Sequence, residues 1–219
     1  MDAIDRCQPS LLLSPNWAQP LQVRVKRALD VTVSLLLMLL LSPMLLLFAL
    51  LIKLTSPGPV FYPWRVVGKD GVPFVGFKFR SMVINADELK SELVKLNEMT
   101  GPMFKITNDP RVTPIGRWLR RYSLDELPQL YSVFVGDMSL VGPRPPLQTE
   151  YAQFTAFEKQ KLSVKPGMTC LWQVQGRTNI SDFADWVKLD LEYIRDWSLA
   201  LDLKILVRTV ATVVSGSGK

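Results

Sequence analysis

The longest apolar stretch of the chain is residues 31–52, and it contains no charged residue. Its length corresponds to roughly 33 Å of helix, enough to cross a hydrocarbon core of about 30 Å. The pattern therefore predicts a membrane helix. Ser42 and Pro43 lie in the middle of the stretch. Because proline removes one backbone donor and crowds the preceding turn, we expect a kink in the helix there.

Basic residues flank this stretch on both sides, with Arg24, Lys26 and Arg27 before it and Lys53 and Arg65 after it. Lysine and arginine concentrate in cytoplasmic loops, so the charges give no reason to place the two ends on opposite faces of the membrane. Two topologies stay open from composition alone. One is a re-entrant helix that returns to the same face, and the other is a kinked helix that spans the membrane.

The pattern changes after the apolar stretch. Alternating β-prone residues over 60–79, around a turn at 68–71, predict a hairpin. Leu89, Leu93 and Leu96 predict a helix over residues 85–98, and a second helix is expected from about Ser123. Residues 136–146 contain three prolines and predict a stiff loop.

Helical spacing returns near the end of the chain. Residues 181–197 predict one helix, and the apolar positions 203, 206, 207, 210, 213 and 214 fit one face of a last helix. That face suits a lipid interface or an ordinary core, and both readings stay open. Residues 1–20 contain three prolines and predict a loosely ordered arm. The expected division is an arm over 1–20, a membrane helix over 21–56 and a catalytic domain over 57–219.

Composition limits the chemistry. The chain of 219 residues has no histidine and two cysteines, with 26 basic and 20 acidic residues and a formal net charge of +6. This excludes histidine-dependent catalysis and four-cysteine zinc sites. The remaining groups for catalysis are carboxylates, lysines, arginines, hydroxyls or a hard metal ion. The charge excess is modest and no nucleic-acid motif is visible, so no nucleic-acid partner is expected.

Charge is concentrated over residues 105–121, which hold five basic residues and one acidic residue, and Asp125 and Glu126 follow closely. Arginine binds phosphate oxygens, whereas carboxylates hold Mg²⁺ or act as nucleophiles toward phosphorus. The pattern therefore predicts a phosphate site. The alternative is structural, because Ser123-x-x-Glu126 also matches a capping box at a helix start.

Three further basic residues are candidates for phosphate contacts. Strand alternation places Lys78 and Arg80 on one face as a clamp, although a solvated strand edge or a lipid headgroup contact fits them equally. Arg144 lies in the proline-rich loop, where a nucleotide contact and a surface salt bridge are both reasonable.

Taken together, the motifs resemble the bacterial sugar transferases, which are monotopic polyprenyl-phosphate phosphoglycosyl transferases. The resemblance covers about residues 21–214. It rests on the ordered set Lys26-Arg27-x-x-Asp30, Ser42-Pro43, Ser56-Pro57-Gly58-Pro59, Lys78-Phe79-Arg80-Ser81-Met82, Ser123-Leu124-Asp125-Glu126-Leu127-Pro128, Gly136-Asp137-Met138-Ser139, Gly142-Pro143-Arg144-Pro145, Pro166-Gly167-Met168-Thr169 and Leu171-Trp172-Gln173-Val174-Gln175-Gly176-Arg177. One departure is Pro63-Trp64-Arg65-Val66-Val67-Gly68, where many relatives carry Gln-x-Arg-x-Gly.

The resemblance implies a reaction and a set of residues. A UDP-sugar would give its phosphosugar to undecaprenyl phosphate, with UMP released. Asp125 would be the nucleophile that forms a covalent phosphosugar intermediate, and Glu126 would help Asp125 to hold Mg²⁺. The substrate-binding residues that the resemblance implies are Lys78, Arg80, Arg120, Arg144 and Asp190.

The resemblance also implies an α-rich α+β membrane-associated (monotopic) fold. Its parts are a re-entrant helix with a break at Ser42-Pro43, a small β-hairpin and several interfacial amphipathic helices, with Arg27 near the lipid headgroups. The expected location is the cytosolic face of the bacterial inner membrane. UDP-glucose or UDP-galactose is the expected donor, and a homodimer is left open. The rival functions are a membrane-anchored Mg²⁺-dependent nucleotide-sugar pyrophosphatase and a non-catalytic lipid-binding scaffold.

Overall fold

The computed structural model describes residues 20–175, 180 and 182–216. The expected arm over 1–20 therefore lies outside the described residues, except for Pro20, which begins the first helix. The described part of the chain is rich in helix, with a small two-stranded sheet and one long apolar helix. The helices are α1 Pro20–Thr55, α2 Ala86–Leu89, α3 Pro114–Arg121, α4 Leu130–Val135, α5 Gln148–Tyr151, α6 Ala156–Lys159, α7 Leu171–Gln175, α8 Phe183–Arg195 and α9 Leu199–Ser215.

Four strands form two small sheets in this part of the chain. The strands are β1 Phe61–Val67, β2 Pro73–Phe79, β3 Ser139–Val141 and β4 Gly167–Thr169. Strands β1 and β2 form the predicted hairpin, in a register that pairs Trp64 with Gly76. Strands β3 and β4 pair in parallel. The sequence interpretation missed β3, because it read residues 136–146 as loop throughout.

Helix α1 has 36 residues and is the one helix of the described chain that is long and apolar enough to cross a membrane. Helix α1 continues through Pro43, so the structure shows no interruption of the helix at Ser42-Pro43, and the kink expected there stays a prediction. The Ser42 hydroxyl donates a hydrogen bond of 2.8 Å to the carbonyl of Leu39. That carbonyl is the one that Pro43, with no N–H, cannot satisfy. A side-chain donor therefore replaces the missing backbone donor.

Both halves of α1 pack against the rest of the chain. Val33 and Leu37 contact the core built around α4, β3, α8 and α9. Phe48 and Ile52, near the other end, are buried against Phe79 of the hairpin and against α3. The outward leucines of α1 stay exposed, for example Leu40 at 75%. One face of the apolar helix is therefore covered by protein along both halves, and the other is not covered.

Two predicted helices differ in the structure. Residues 85–98 form only α2 and a 3-10 turn, Val94–Leu96, and Leu96 is exposed. The apolar spacing there has no packing surface opposite it, and most helix stability in proteins comes from such packing. Residues after Ser123 form a 3-10 helix, Leu124–Gln129, followed by α4.

Helices α8 and α9 confirm the two helices predicted near the end of the chain. Helix α8 buries Phe183, Trp186, Val187 and Ile194, as the spacing predicted. Helix α9 begins at the N-cap Ser198, whose side chain accepts a hydrogen bond from Leu201 N–H. Its predicted apolar face is largely uncovered, with Leu203, Val207, Val210 and Val214 exposed. An ordinary core role for that face is therefore wrong.

Candidate functional site

The hairpin, α3, the 3-10 helix and the proline-rich loop surround a cavity of about 780 Å³. This volume is within the usual range for small-molecule sites. Seven basic and four acidic side chains line it, and so do several aromatic rings. The charged residues are Lys78, Lys105, Asp109, Arg111, Arg117, Arg120, Arg121, Asp125, Glu126, Arg144 and Glu150. The excess of positive charge suits an anionic ligand.

Asp125 and Glu126 lie in the first turn of the 3-10 helix Leu124–Gln129. Ser123, immediately before it, has a left-handed backbone with φ 54° and makes no side-chain cap hydrogen bond. The capping-box alternative is therefore wrong, and Glu126 N–H instead donates to the backbone carbonyl of Ser123 at 3.3 Å. The turn places both carboxylates on the cavity wall, and Asp125 is buried.

Two cations approach the same carboxylate oxygen. Lys78 Nζ lies 2.7 Å from Glu126 Oε1, and Arg144 Nη1 lies 3.8 Å from it. Burial lowers the pKa of Lys78, and the nearby charge of Arg144 lowers it further, whereas Glu126 and Asp125 oppose the shift. Residues distant in sequence thus form one compact cluster of charges at the cavity.

Arg80 does not join Lys78 in this cluster. Its guanidinium donates to Ser56 O at 2.9 Å, to Ser56 Oγ at 2.8 Å and to Pro57 O. Strand β2 ends at Phe79, so the alternation used to pair Lys78 with Arg80 does not extend to Arg80. The expected two-cation clamp on one strand face is therefore wrong in geometry. Arg80 holds the segment that follows α1.

Arg120 reaches the cavity from α3. Thr113 caps this helix by accepting a hydrogen bond from Gly116 N–H. At Gly116 a side chain would overlap the carbonyl of Ser81, so glycine permits α3 to lie directly against that segment. Arg120 Nε then donates to Ser81 Oγ at 2.8 Å. The arginine is thus oriented on the cavity wall, as expected for a phosphate contact.

Asp190 is not among the residues that line the cavity. It is almost fully buried, and one carboxylate oxygen lies 2.5 Å from Nζ of the buried Lys161. Burial raises the pKa of Asp190, whereas Lys161 and the N–H and charge of Arg144 oppose the shift. Asp190 is therefore paired with Lys161, outside the cavity lining. A direct substrate contact, as the resemblance implied, does not match this position.

Arg27 contacts the backbone of α4. Its two terminal nitrogens donate to the carbonyls of Val133 at 2.6 Å and Phe134 at 2.7 Å, near the end of α4. A cation at a helix C-terminus satisfies carbonyls that have no partner within the helix and complements the helix dipole. The guanidinium thus binds protein, and its expected position near the lipid headgroups stays a prediction.

Comparisons with known proteins agree with this geometry. A family model described as "Bacterial sugar transferase" matches residues 21–216. The exopolysaccharide production protein ExoY of Rhizobium meliloti is 39% identical over 91% of this chain and 90% of its own length. The galactosyl transferase CpsE of Streptococcus agalactiae is 49% identical over 74% of this chain. The UDP-glucose:undecaprenyl-phosphate glucose-1-phosphate transferase of Escherichia coli is 41% identical over 85% of it.

The chain belongs to the bacterial sugar transferase family. It is an enzyme of that class, as the sequence predicted. The chain spans only 36% of the length of the CpsE relative and 39% of the Escherichia coli relative.

The adjacent carboxylates of this sugar transferase, Asp125 and Glu126, also suit the Mg²⁺ that the resemblance implied. Among residues 20–175, 180 and 182–216, no group of three or more acidic or cysteine side chains could hold a metal by itself. Mg²⁺ commonly takes only one or two carboxylates and completes its shell with substrate phosphates and water. Of the other acids at the cavity, Asp109 is bound to Arg111, and Glu150 accepts from the backbone of Leu147. Asp125 and Glu126 are adjacent carboxylates on the cavity wall, and this placement makes them the residues suited to the ion, although Glu126 also contacts Lys78.

The sequence interpretation missed Lys161, which pairs with Asp190 outside the cavity lining, and Trp64, which lines the cavity of this sugar transferase. Lys161 gives no local signal, because its partner Asp190 is far away in the chain. Trp64 lines the cavity beside Lys78 and Arg144. Its signal was present in the hairpin pattern, because Trp64 and Lys78 are diagonal neighbours on one face once the register is known.

Proposed function

We propose that the protein transfers a phosphosugar from a UDP-sugar to undecaprenyl phosphate, giving undecaprenyl-diphospho-sugar and UMP. The names of the relatives support this proposal, because they include undecaprenyl-phosphate galactose and glucose phosphotransferases. The relatives named ExoY support a role in exopolysaccharide production, which we place at the first membrane step of its assembly. The observation on which the proposal rests is the buried carboxylate of Asp125, which shares one cationic cavity with Lys78, Glu126 and Arg144.

The reaction proceeds in two displacements. An oxygen of Asp125 forms a bond to the β-phosphorus of the donor, while the bond from that phosphorus to the bridging oxygen breaks and UMP leaves with the electron pair. A phosphate oxygen of undecaprenyl phosphate then attacks the same phosphorus and displaces the Asp125 carboxylate. Lys78, Arg120 and Arg144 neutralise the phosphate oxygens in both steps, because fixed cations are effective where charge develops.

Mg²⁺, bound by Asp125 and Glu126, would add charge neutralisation of the diphosphate when present. The pairing of Glu126 with Lys78 fixes the carboxylate next to Asp125. Glu126 therefore helps to position Asp125, even where Glu126 does not contact the substrate.

The membrane geometry supports the same proposal. Residues near both ends of α1, such as Lys26 and Ile52, contact the globular part of the chain. A helix that crossed a bilayer would place its ends on opposite faces, where one globular body could not contact both. This favours the re-entrant topology, with the exposed face of α9 at the interface. We propose that the site lies at the cytosolic face of the bacterial inner membrane, where a water-soluble donor and a lipid acceptor meet.

Topology has a direct test. Cysteines introduced by Ser10→Cys and Ser215→Cys, in a Cys7→Ser background, should both react with an impermeant thiol reagent only from the cytosolic side. Cys170 is buried and does not interfere. Labelling from opposite sides would contradict the re-entrant topology.

The covalent step is tested with Asp125→Asn. The amide cannot act as the nucleophile, so UMP release should fall by at least about a thousandfold, to the background of the assay. Mass spectrometry of wild type trapped with donor should place a phosphosugar adduct on Asp125. The matched control is Asp70→Asn on the exposed hairpin turn, which should keep full turnover. An adduct at another residue, or normal turnover in Asp125→Asn, would reject the mechanism.

The rival pyrophosphatase is separated by leaving out the acceptor. A transferase should release about one UMP per enzyme and stop, whereas a pyrophosphatase would continue. The same assay with UDP-glucose and UDP-galactose identifies the donor. A homodimer stays a prediction, to be read from the mass of the purified protein in lipid nanodiscs.

A further inference from the structure

Trp64 contacts two of the basic side chains that line the cavity, Lys78 and Arg144. Lys78 Nζ is 4.0 Å from the centroid of its ring, and Arg144 Cζ is 5.8 Å from it. Both distances are within the range in which an indole face attracts a cation. Trp64 is itself buried and lines the cavity.

The hairpin explains why this ring is available. Trp64 pairs across the sheet with Gly76, and Tyr62 pairs with Lys78, so Trp64 and Lys78 are diagonal neighbours on one face. Glycine has no side chain, so the partner position does not cover the ring. The Lys78 stem can therefore lie across the indole and present its ammonium to Glu126.

The two cations need more than one negative partner. Glu126 Oε1 is 2.7 Å from Lys78 and 3.8 Å from Arg144, so a single carboxylate oxygen faces both. Two like charges repel strongly where little water separates them. Asp125 adds negative charge near Lys78, and the negative face of the indole offsets part of the remaining repulsion.

We propose that Trp64 is a positioning residue, whose indole face holds Lys78 and Arg144 side by side as a binding site for the diphosphate of the donor. This inference rests on the proposed function for the identity of the ligand. It goes beyond it by assigning the geometry of the phosphate site to a residue with no acidic or basic group.

The test reduces the negative charge of the ring without changing its shape. Tryptophan at position 64 is replaced by its mono-, di- and trifluorinated forms, and the Kd for UDP is measured with Mg²⁺ present. Fluorine withdraws electron density from the ring face. We expect log Kd to rise in step with the number of fluorines, by roughly tenfold over the series, with an unchanged melting temperature. The same series at Trp118, which is exposed and does not line the cavity, should give no trend.

Ordinary substitutions give a second measurement. Trp64→Phe keeps an aromatic face and should keep most of the UDP affinity, whereas Trp64→Leu should lose it and raise KM for the donor more than it lowers kcat. Phe77→Leu, on the opposite face of the hairpin, is the matched control.

The outcomes separate the two claims. A flat fluorination series in a protein that binds UDP would overturn the role of Trp64 and leave the proposed function standing. A wild-type protein that neither binds UDP nor releases UMP would overturn both.

Discussion

Lys26 and Lys78 each contact a carboxylate, at 2.6 Å from Asp202 and at 2.7 Å from Glu126. The surroundings of the two pairs differ. Asp202 also accepts from Tyr193 at 2.7 Å and from Trp197 at 3.1 Å, and Lys26 also donates to Val141 O at 3.0 Å. This is a network of protein donors and acceptors that joins α1 to α8, α9 and β3.

At the second pair, the cavity holds more cations than acids, and Glu126 faces both Lys78 and Arg144. This excess of positive charge suits an anionic ligand, which the proposed function supplies as the diphosphate of the donor. The comparison teaches that the length of an ion pair does not reveal its role. The pair of Lys26 belongs to a network that joins four elements of the fold, whereas the pair of Lys78 lines a cavity with an excess of basic side chains.

The largest expected effect is on ligand binding in Lys78→Met. Removing a buried cation from a phosphate site should weaken UDP binding by about a hundredfold, or about 3 kcal/mol. The melting temperature should change little, because Arg144 remains beside Glu126. Isothermal titration with UDP measures the first effect and thermal unfolding in detergent the second. A large loss of stability without a loss of affinity would erase the distinction between the two pairs.

Lys26→Met should show the opposite pattern. Asp202 would keep its neutral donors but lose its cation, and we expect a loss of about 3 kcal/mol in the free energy of unfolding. The folded fraction should bind UDP normally, because Lys26 does not line the cavity. If this variant bound UDP poorly while fully folded, the ion pair of Lys26 with Asp202 would affect UDP binding at the cavity.

The pH dependence sharpens the comparison with a smaller effect. Burial and Arg144 lower the pKa of Lys78 below its ordinary value of 10.5. UDP affinity should therefore fall as the pH rises through this lowered pKa. Stability should rise over the same window, because the folded state binds fewer protons than the unfolded state there. Lys78→Arg keeps its charge, so its affinity should persist, and an identical alkaline loss in both proteins would contradict the assignment to Lys78.

The smallest effect is expected at an exposed pair on α8. Lys188 contacts Asp185 at 2.8 Å, but both side chains are more than half exposed. Such pairs add little to stability, because solvent screens them. Lys188→Met should leave both the melting temperature and UDP affinity unchanged, which makes it the reference for the two buried lysines. A measurable drop in the melting temperature would show that a short contact distance stabilises the protein even at an exposed ion pair.

Several features followed from local patterns. The hairpin was predicted because alternation and turn residues act between chain neighbours, and α1 was predicted because its hydrophobicity is continuous. Asp125, Glu126 and Lys78 were placed correctly at one cavity. Arg80 was not, because its direction depends on where β2 ends. The helix over 85–98 failed because spacing alone does not provide a partner surface.

The sequence by itself determined the apolar helix, the hairpin, the absence of histidine chemistry and the family to which the chain belongs. Only the tertiary structure decided that Asp190 pairs with Lys161, that Arg27 caps α4 and that Trp64 contacts two cations. The physical reason is the distance along the chain over which each effect acts. Periodicity and propensity act over a few residues, whereas charge pairing and burial depend on which distant segments the fold brings into contact.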